Sequence, residues 1–545
     1  MKKRIGLILL LILLILPASW FLFKPGFFVS DDGEWMVIRL TDFHRSLVSG
    51  MIPVRWAARL NFSYGYPVFN FLYPLSLYLG ELFYLFGFSA VWSIKLVFIF
   101  SFFLSGMLMY LFGRELWGRP GGLLTAVFYT YAPYRFVDVY VRGSIGEALG
   151  FVFAPLIFLS LFSLYQKRSK IWLGWGAVGL AGLIMSHNIM AMLFLPVILA
   201  FAGLLVFLPK LNKELFFRFI ILFLLGLGLA CFFWLPALLD KQFTFLDQIS
   251  VTNYWEHFPN LKQLLIPSWG YGPSLSSDKD APSYQIGLFN LLGVMLSFII
   301  LLKAKAKKPL LIFFLLVFGI TFLLMLPIAK PIWDFLPLIK LSQFPWRLLS
   351  VTTFTSSILT GSLVYLYKPA SIKWLVAILL ALVIGFNYSY ARPTELVNRP
   401  ESFYTTNEAT TTVKDEYLPI WAKQRPPERA QERVVILEGE GEIKNLVFNS
   451  KKTKFELAAA TPVKAQVNQL YFPGWQVKVN GHSVPIAYNN SYGLIQFEIA
   501  PGDSLVLAEF KETPLRLTAD MISLLSLGIV VGLVIRKNGK SKKEN

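Results

Sequence analysis

Cysteine and histidine are scarce in this chain, which has one cysteine and four histidines among 545 residues. The cysteine, Cys231, lies inside an apolar run, so neither a disulfide framework nor a thiolate metal site is available. We interpret it as a small buried hydrophobic residue. Phosphate-binding glycine loops, dinucleotide fingerprints and zinc-ligand spacings are also missing, which argues against a soluble nucleotide cofactor.

Charged residues are few as well, at 15% of the chain, whereas 55% of the residues are hydrophobic and the mean hydropathy is +0.57. Apolar runs of about 17 to 22 residues recur, and each is long enough to cross about 30 Å of hydrocarbon as a helix. The sequence therefore predicts an all-α polytopic membrane module. The first run, residues 5–23, lacks a small-x-small cleavage site, and we interpret it as an uncleaved first span.

The net charge of +19 is typical of nucleic-acid-binding proteins, but its placement favours a membrane protein. The basic residues cluster between apolar runs, at "KKR" (2–4), "QKRSK" (166–170), "KLNKELFFR" (210–218), "KAKAKK" (303–308) and "RKNGKSKKEN" (536–545). Such clusters mark the cytoplasmic ends of spans. We therefore expect a multi-pass protein of the cytoplasmic membrane with both termini inside and no nucleic-acid partner.

With both termini inside, the number of spans is even, and about twelve spans satisfy the charge clusters. They are predicted near 5–23, 91–112, 120–134, 148–165, 171–187, 189–208, 217–236, 285–302, 309–327, 349–367, 372–390 and 517–535. If the apolar stretch 67–87 also crossed the membrane, the number of spans would be odd. This stretch also contains Glu81. We interpret it as a helix in or on the outer leaflet, within a long first external loop, 24–90. A thirteenth span there, with one inverted charge cluster, is the alternative.

Two parts of the predicted external side have their own patterns. In the first loop, "EWMVIRLTDFHRSLVSG" (34–50) has apolar residues at helical spacing, which predicts an amphipathic helix on the membrane surface. Residues 392–515 have short alternating runs, and "VKVNGHSV" (477–484) places an Asn-Gly turn between two of them. We predict an extracytoplasmic all-β, sandwich-like domain of about eight strands at 392–515. It follows the membrane module 1–391 and precedes a final span and basic cytoplasmic tail, 516–545.

Ionisable residues gather on the predicted external side, where their cost near a bilayer suggests a function. They are Asp31, Asp32, Glu34, Arg39, Asp42, His44, Arg45, Arg55 and Arg59 in the first loop, Arg135, Asp138, Arg142 and Glu147 in the second, His187 at the next turn, and Arg347 in "QFPWR". Acids can act as a base or a metal ligand, and arginines can bind a phosphate bidentately. Structural roles are open alternatives: a solvated helix end for the two aspartates, a salt bridge for Arg142 and Glu147, hydrogen-bonded structural groups for the histidines, and an interfacial anchor beside Trp346 for Arg347.

Several phrases, taken in order, resemble a known group of proteins. They are "GMIPVRW" (50–56), "YGYPVFNFLYPL" (64–75), "YRFVDVYVRGSIGEALG" (134–150), "QFPWR" (343–347), "EYLP" (416–419) and "LYFPGWQVKVNG" (470–481). The chain is similar to bacterial and archaeal membrane proteins of the YfhO type and of the pyruvoyl-tetrahydropterin-synthase-related group. More broadly, it resembles the GT-C superfamily of membrane glycosyltransferases. In that superfamily an acidic residue or pair opens a long external loop after the first span, the position of "SDDGE" (30–34).

The resemblance implies an inverting transferase that takes a sugar from a polyprenyl-phosphate donor and passes it to a glycan, lipid or protein acceptor. The family's catalytic acid maps onto Asp31 or Asp32, and Arg142 and Arg347 would bind the leaving phosphate. The surrounding or acceptor-binding residues would be Glu34, His44, Arg135, Asp138, Glu147 and His187. A divalent cation, Mg²⁺ or Mn²⁺, is left open, with Asp31, Asp32 and Glu147 as its ligands.

Two other functions are considered. A lipid-linked glycan flippase or exporter would place ionisable residues along a path through the membrane, and the predicted spans are almost free of charge. A non-catalytic cell-envelope assembly protein would use its β-domain to bind partners.

Overall fold

The computed structural model describes residues 2–166, 169–208, 210–249, 253–272, 274, 282–303, 307–366, 372–409 and 414–535. The predicted basic tail, 536–545, and parts of the basic clusters at 166–170 and 303–308 lie outside these residues. The described chain is mostly helical up to residue 390, has a β-rich region after it, and ends in a long helix.

The helices follow the apolar runs of the sequence. In chain order they are α1 (Lys2–Ile15), α2 (Gly33–Val48), α3 (Val68–Phe71), α4 (Leu75–Leu85), α5 (Ala90–Thr130), α6 (Pro133–Phe136), α7 (Ile145–Tyr165), α8 (Ile171–Ser186), α9 (Asn188–Phe207), α10 (Lys213–Leu229), α11 (Cys231–Asp240), α12 (Leu261–Leu265), α13 (Leu288–Lys303), α14 (Lys308–Leu324), α15 (Lys330–Phe335), α16 (Pro337–Lys340), α17 (Leu349–Gly361), α18 (Ile372–Asn387), α19 (Glu401–Thr405) and α20 (Pro514–Ile535). A 3₁₀ segment, Leu16–Phe23, extends α1, and another, Pro345–Leu348, precedes α17.

Every predicted span falls on one of these helices except 217–236, which is divided between α10 and α11. This confirms a polytopic helical membrane module. By length and apolar composition, seven of the described helices can cross a membrane, or nine if each of two bent pairs is one span. The shorter apolar helices α8 and α13 occupy two further predicted spans. The total of about twelve spans stays a prediction.

Helix α5 contains two of the predicted spans because the chain reverses inside it. Gly118 has a φ of 79°, outside the helical region. On either side of it the two halves pack closely, since a Cβ on Gly113 would lie 2.7 Å from Thr125. A continuous helix would separate those residues by about 18 Å. Gly118 is therefore the turn between two antiparallel segments.

The apolar stretch 67–87 does not form a long helix. Its longest helix, α4, has 11 residues, and at 1.5 Å per residue it covers only about half the thickness of the hydrocarbon. This length fits the interpretation of 67–87 as a segment that does not cross the membrane.

Helix α2 is present where an amphipathic helix was predicted, but its polar face is covered by protein. Asp42 is fully buried and Arg39 is almost so. The hydroxyl of Thr41 donates to the carbonyl of Tyr404 at 3.0 Å, because α19 packs against this face. Later segments of the chain fold over the first loop and cover the polar face of this helix, which the sequence did not indicate.

The β-rich region contains two antiparallel sheets, in agreement with the predicted number of strands. Its strands are β3 (Val434–Glu438), β4 (Gly441–Phe448), β5 (Lys452–Ala459), β6 (Val463–Leu470), β7 (Trp475–Val479), β8 (His482–Val484), β9 (Leu494–Ile499) and β10 (Gly502–Phe510), and the earlier pair is β1 (Phe27–Phe28) and β2 (Leu396–Val397). One sheet has the order β4-β5-β10-β7-β8 and the other β3-β6-β9. The Asn480-Gly481 turn joins β7 and β8 with positive φ at both residues, which confirms the predicted hairpin.

The β-rich region and the first loop are bonded to each other. The backbone N–H of Leu470 donates to the carbonyl of Tyr64 at 3.0 Å, and β1 pairs with β2. Below this junction, Arg55 of the first loop donates to Glu512 at 2.9 Å and to Asp520 of α20 at 2.8 Å. The first loop and the β-rich region therefore lie at the same end of the helix bundle.

Candidate functional site

The two adjacent aspartates lie between β1 and α2, against the second predicted external loop. The backbone N–H of Asp31 donates to the carbonyl of Val141 at 3.1 Å, and that of Asp32 to the carbonyl of Arg142 at 2.9 Å. Because these bonds use the main chain, both carboxylates are left for other contacts.

The close approach of the two loops requires glycine at residue 143. Gly143 has a φ of +64°, and a Cβ there would lie 2.5 Å from the backbone nitrogen of Gly33. A side chain at this position would therefore push the second loop away from the two aspartates.

We expect Gly143→Ala to lower the thermal unfolding temperature and any activity that depends on Asp31 and Asp32. The matched control is Gly50→Ala, because Gly50 has a φ of +82° and nothing within 4 Å of its added Cβ. Both variants incur the cost of about 1–2 kcal/mol for a left-handed alanine, so the additional loss in Gly143→Ala reports the clash. Equal losses in the two variants would contradict this account.

Glu147, at the start of α7, joins two arginines from different parts of the chain. Its Oε1 atom accepts from Nη2 of Arg142 at 2.8 Å and lies 3.2 Å from Nε of Arg347. The second arginine also donates to the carbonyl of Ser342 at 2.9 Å. Glu147 is 1% exposed, so the carboxylate balances both cations in a site with little water.

Polar and aromatic groups complete this cluster. The hydroxyl of Tyr134 donates to Oε2 of Glu147 at 2.9 Å, and Nη1 of Arg142 donates to Asp138 at 2.6 Å. The Arg142 guanidinium lies over the ring of Trp346, 4.8 Å from its centroid. The cluster is thus held by the second loop, α7 and the "QFPWR" segment together.

His187 borders the cluster as a neutral group. Burial lowers its pKa to about 3, against the opposing effect of Glu147. Its Nδ1 atom accepts from the backbone N–H of Met190 at 3.2 Å, so the proton of the neutral ring is on Nε2, which lies 3.9 Å from Glu147. His187 therefore caps α9 and turns its N–H toward the carboxylate.

The aspartates and this cluster form one electrostatic unit. Burial raises the pKa of Asp31 to about 6, while Arg142 opposes the rise and Asp32 adds to it. Asp32 in turn interacts with Arg347 through their charges. The structure thus brings together Asp31, Asp32, Asp138, Arg142, Glu147, His187 and Arg347.

Three of the predicted residues have other contacts. Glu34 accepts from Arg399 at 2.9 Å and from Tyr404 at 3.1 Å. His44 bonds to Glu81 at 2.8 Å on the far part of α2. Arg135 is buried over the Phe151 ring at 4.3 Å, toward the interior of the bundle. For His44 the structural alternative, a hydrogen-bonded group, describes the contact that is present.

The proposed metal ligands do not form a metal-binding group. Among the described residues, no set of three or more His, Cys, Asp or Glu side chains is close enough to hold an ion. Oε1 of Glu147 instead faces Arg142 and Arg347, and its Oε2 accepts from the hydroxyl of Tyr134. Asp31, Asp32 and Glu147 are therefore not gathered into a three-ligand group in this arrangement.

Sequence reasoning missed Tyr73, which lies between the aspartates and the cluster. Its ring is 5.0 Å from that of His187, and its carbon Cε2 is 2.6 Å from where a Cβ on Gly146 would be. The charge of Asp32 contributes to the raised pKa of its hydroxyl, after burial. Tyr73 belongs to the phrase "YGYPVFNFLYPL", so the resemblance was the one signal that included it.

Comparison with known proteins gives a family match. The profile of a family described as "6-pyruvoyl-tetrahydropterin synthase related domain; membrane protein" matches residues 69–392. A relative from Lactococcus lactis subsp. cremoris, described as an uncharacterized protein, is 23% identical over 246 residues, which cover 44% of this chain and 40% of the relative. The chain thus matches less than half of that relative's length.

Two solved structures are similar over about three quarters of the chain. Arabinofuranosyltransferase AftD from Mycobacteria is 14% identical with a TM-score of 0.49, covering 73% of this chain and 28% of that one. The Archaeoglobus fulgidus oligosaccharyltransferase is 13% identical with a TM-score of 0.46, covering 75% of this chain and 60% of that one.

Proposed function

The chain belongs to the membrane-protein family described as 6-pyruvoyl-tetrahydropterin synthase related, and we propose that it is an inverting glycosyltransferase using a polyprenyl-phosphate-linked sugar. The observation that carries the proposal is the meeting of an acid pair with a buried pair of arginines from separate loops. The acid pair is suited to removing a proton from the acceptor, and the arginines are suited to binding the phosphate as it leaves.

In the proposed reaction, Asp31 removes the proton from an acceptor hydroxyl or amide as that atom attacks the anomeric carbon. The new bond to the acceptor forms as the bond between the anomeric carbon and the phosphate oxygen breaks. Attack from the face opposite the phosphate inverts the anomeric configuration and releases polyprenyl phosphate. The raised pKa of Asp31, about 6, favours it as the base because it lies near the working pH.

Arg142 and Arg347 would stabilise the negative charge that develops on the leaving phosphate. In the structure Glu147 already holds both guanidinium groups. The phosphate would therefore compete with a carboxylate for the same donors, and the arginines are kept oriented until the donor enters. Such pre-oriented charges stabilise a transition state without reorganisation during the reaction.

The test is transfer by the purified full-length protein in liposomes of polar bacterial lipids. A panel of polyprenyl-phosphate sugars, each with a labelled sugar, is supplied with membrane glycan extracts as acceptor. We expect labelled product with inverted anomeric configuration and one polyprenyl phosphate released per sugar. Movement of intact lipid-linked sugar across the bilayer without release would favour a flippase, and no change in any donor would favour a non-catalytic role.

The rate is expected to depend on pH through Asp31. The base must be ionised, so kcat/KM should be constant above pH 7 and fall to about one tenth of its plateau at pH 5, one unit below a pKa of about 6. The measurement is the initial rate from pH 5 to 8, with enzyme returned from pH 5 to pH 7.5 as a control for unfolding. A flat profile over this range would contradict Asp31 as the base.

A further inference from the structure

A cleft opens at the side of the β-rich region, away from the site described above. Its volume is about 810 Å³, within the range of about 300–1,000 Å³ typical of ligand pockets. Residues that line it include Phe62, Ser63, Arg429, Arg433, Phe448 and Asn468. The lining combines aromatic rings with polar side chains, which is the composition of a binding site for a polar ligand with flat apolar faces.

One wall of the cleft is an apolar strip on β4, at the edge of the larger sheet. The register of β4 against β5 shifts between Lys444 and Val447, so a bulge interrupts the alternation of the strand. Leu446, Val447 and Phe448 are all exposed, the last by 57%. Three consecutive exposed apolar residues on a strand edge are unfavourable in water and mark an interaction surface.

The residues that border this strip in the cleft are polar and held in place. Arg433 donates through Nη1 to the carbonyls of Ser63 at 3.0 Å and Asn468 at 3.1 Å. Its guanidinium lies 5.5 Å from the centroid of the Phe448 ring. The amide of Asn468 donates to the carbonyl of Glu432 at 2.7 Å. These contacts fix the wall before any ligand binds, which reduces the entropy lost on binding.

The base of the cleft comes from a strained turn of the first loop. Asn61, Phe62 and Ser63 have φ values of 59°, 55° and 65°, a left-handed conformation that is costly for residues other than glycine. The backbone N–H of Phe62 donates to the carbonyl of Glu408 at 2.9 Å, which holds the turn. Strain of this kind persists where the surroundings fix it, and it is frequent at ligand-binding sites.

The turn is also connected to the helix that begins at the aspartates. The N–H of Ser63 donates to the carbonyl of Arg59 at 2.9 Å, and Arg59 donates to the carbonyl of Ile38 on α2 at 3.1 Å. Ile38 lies six residues beyond Asp32, or about 9 Å along the helix axis. The cleft is therefore joined by hydrogen bonds to the helix that begins at the aspartates.

We propose that this cleft binds an oligosaccharide, the part of the acceptor glycan that does not react. The proposal rests on the proposed function, because it assigns the acceptor class as a glycan. The exposed Phe448 ring takes the apolar C–H face of a sugar, and the side chains of Arg429 and Gln431 bond to its hydroxyls. Binding here holds the acceptor chain while its end reaches Asp31 and Asp32.

The test measures binding to the full-length protein in detergent, without any donor. The probes are chitohexaose, mannohexaose and hexagalacturonate, and the variants are Phe448→Ala and, as a matched control, Leu505→Ala. Leu505 lies on β10 of the same sheet, is 42% exposed and does not line the cleft. We expect at least one hexasaccharide to bind, Phe448→Ala to weaken its Kd about tenfold, and Leu505→Ala to leave it within about twofold.

Each other result has a defined meaning. Failure of all three saccharides to bind, or equal affinity for Phe448→Ala and wild type, overturns the proposal. A synthetic peptide with the β4 sequence is tested in parallel. If that peptide binds and the saccharides do not, the exposed edge strand β4 binds an added peptide strand instead of a sugar. The binding assay is repeated with the double variant Asp31→Asn/Asp32→Asn. The cleft should bind the saccharide whether or not sugar is transferred, so this variant separates the binding proposal from the proposed transferase function.

Discussion

Replacing both Asp31 and Asp32 with asparagine is expected to abolish sugar transfer while the protein remains folded. Loss of a general base lowers a rate by about 10²–10⁴-fold, and removal of both carboxylates excludes substitution of one by the other. The bonds that seat these residues come from the backbone N–H groups, which donate to Val141 and Arg142. Asparagine leaves these bonds in place.

The direction in which this double substitution changes the stability can also be predicted. The folded-state pKa of Asp31 is raised to about 6 from an ordinary value of 3.8. Its ionised form is therefore less favourable in the folded protein, and stability is lost as the pH rises through about 6. A neutral asparagine does not incur this cost, so the unfolding temperature at pH 7.5 should equal or exceed that of the wild type.

Single variants and a surface control complete the experiment. Asp31→Asn alone should account for most of the lost rate if Asp31 is the base, and Asp32→Asn should then retain more activity. Asp503→Asn, at an exposed acid on β10, should transfer sugar at the wild-type rate. Transfer by the double variant within about tenfold of the wild type would exclude general-base catalysis by this pair.

The helices could be predicted from the sequence because apolar length is a local property. Each run predicted to cross the membrane became a helix or a bent pair of helices, and the Asn480-Gly481 turn specified its hairpin. The burial of α2 could not be predicted, since its polar face is covered by α19, whose residues lie more than three hundred positions later. Packing between distant segments leaves no periodic signal in either one.

In the site, too, the residue types could be predicted from the sequence but the contacts between distant residues could not. Ionisable residues in loops near a bilayer are conspicuous, and seven of those predicted meet around Glu147 and the aspartates. The sequence could not indicate that Glu147 binds both arginines, because Arg347 is far from it in the chain. It also did not indicate the ion pairs of the buried Arg55 with the half-buried Glu512 and Asp520, in which the partners are more than four hundred residues apart.

Arg347→Gln is expected to lower kcat by about 10²–10³-fold, the effect of removing one charged donor from a developing oxyanion. Arg347 is a better test than Arg142, because Glu147 keeps its bond to Arg142 at 2.8 Å when Arg347 is removed. Loss of Arg142 would leave Asp138 without its ion pair, which destabilises a buried acid by several kcal/mol. The folded state of Arg347→Gln is checked by thermal unfolding.

The control for loss of charge alone is Arg399→Gln. It removes an ion pair with Glu34 on a more exposed part of the same end of the protein, and kcat should stay within about twofold of the wild type. Arg347→Lys retains the charge but not the planar pair of donors, so we expect a smaller loss than in Arg347→Gln. If Arg347→Gln raises KM for the donor and leaves kcat unchanged, the guanidinium binds the ground-state phosphate only. Stabilisation of the leaving group would then have to come from Arg142, whose Nη1 and Nη2 atoms already donate to Asp138 and Glu147.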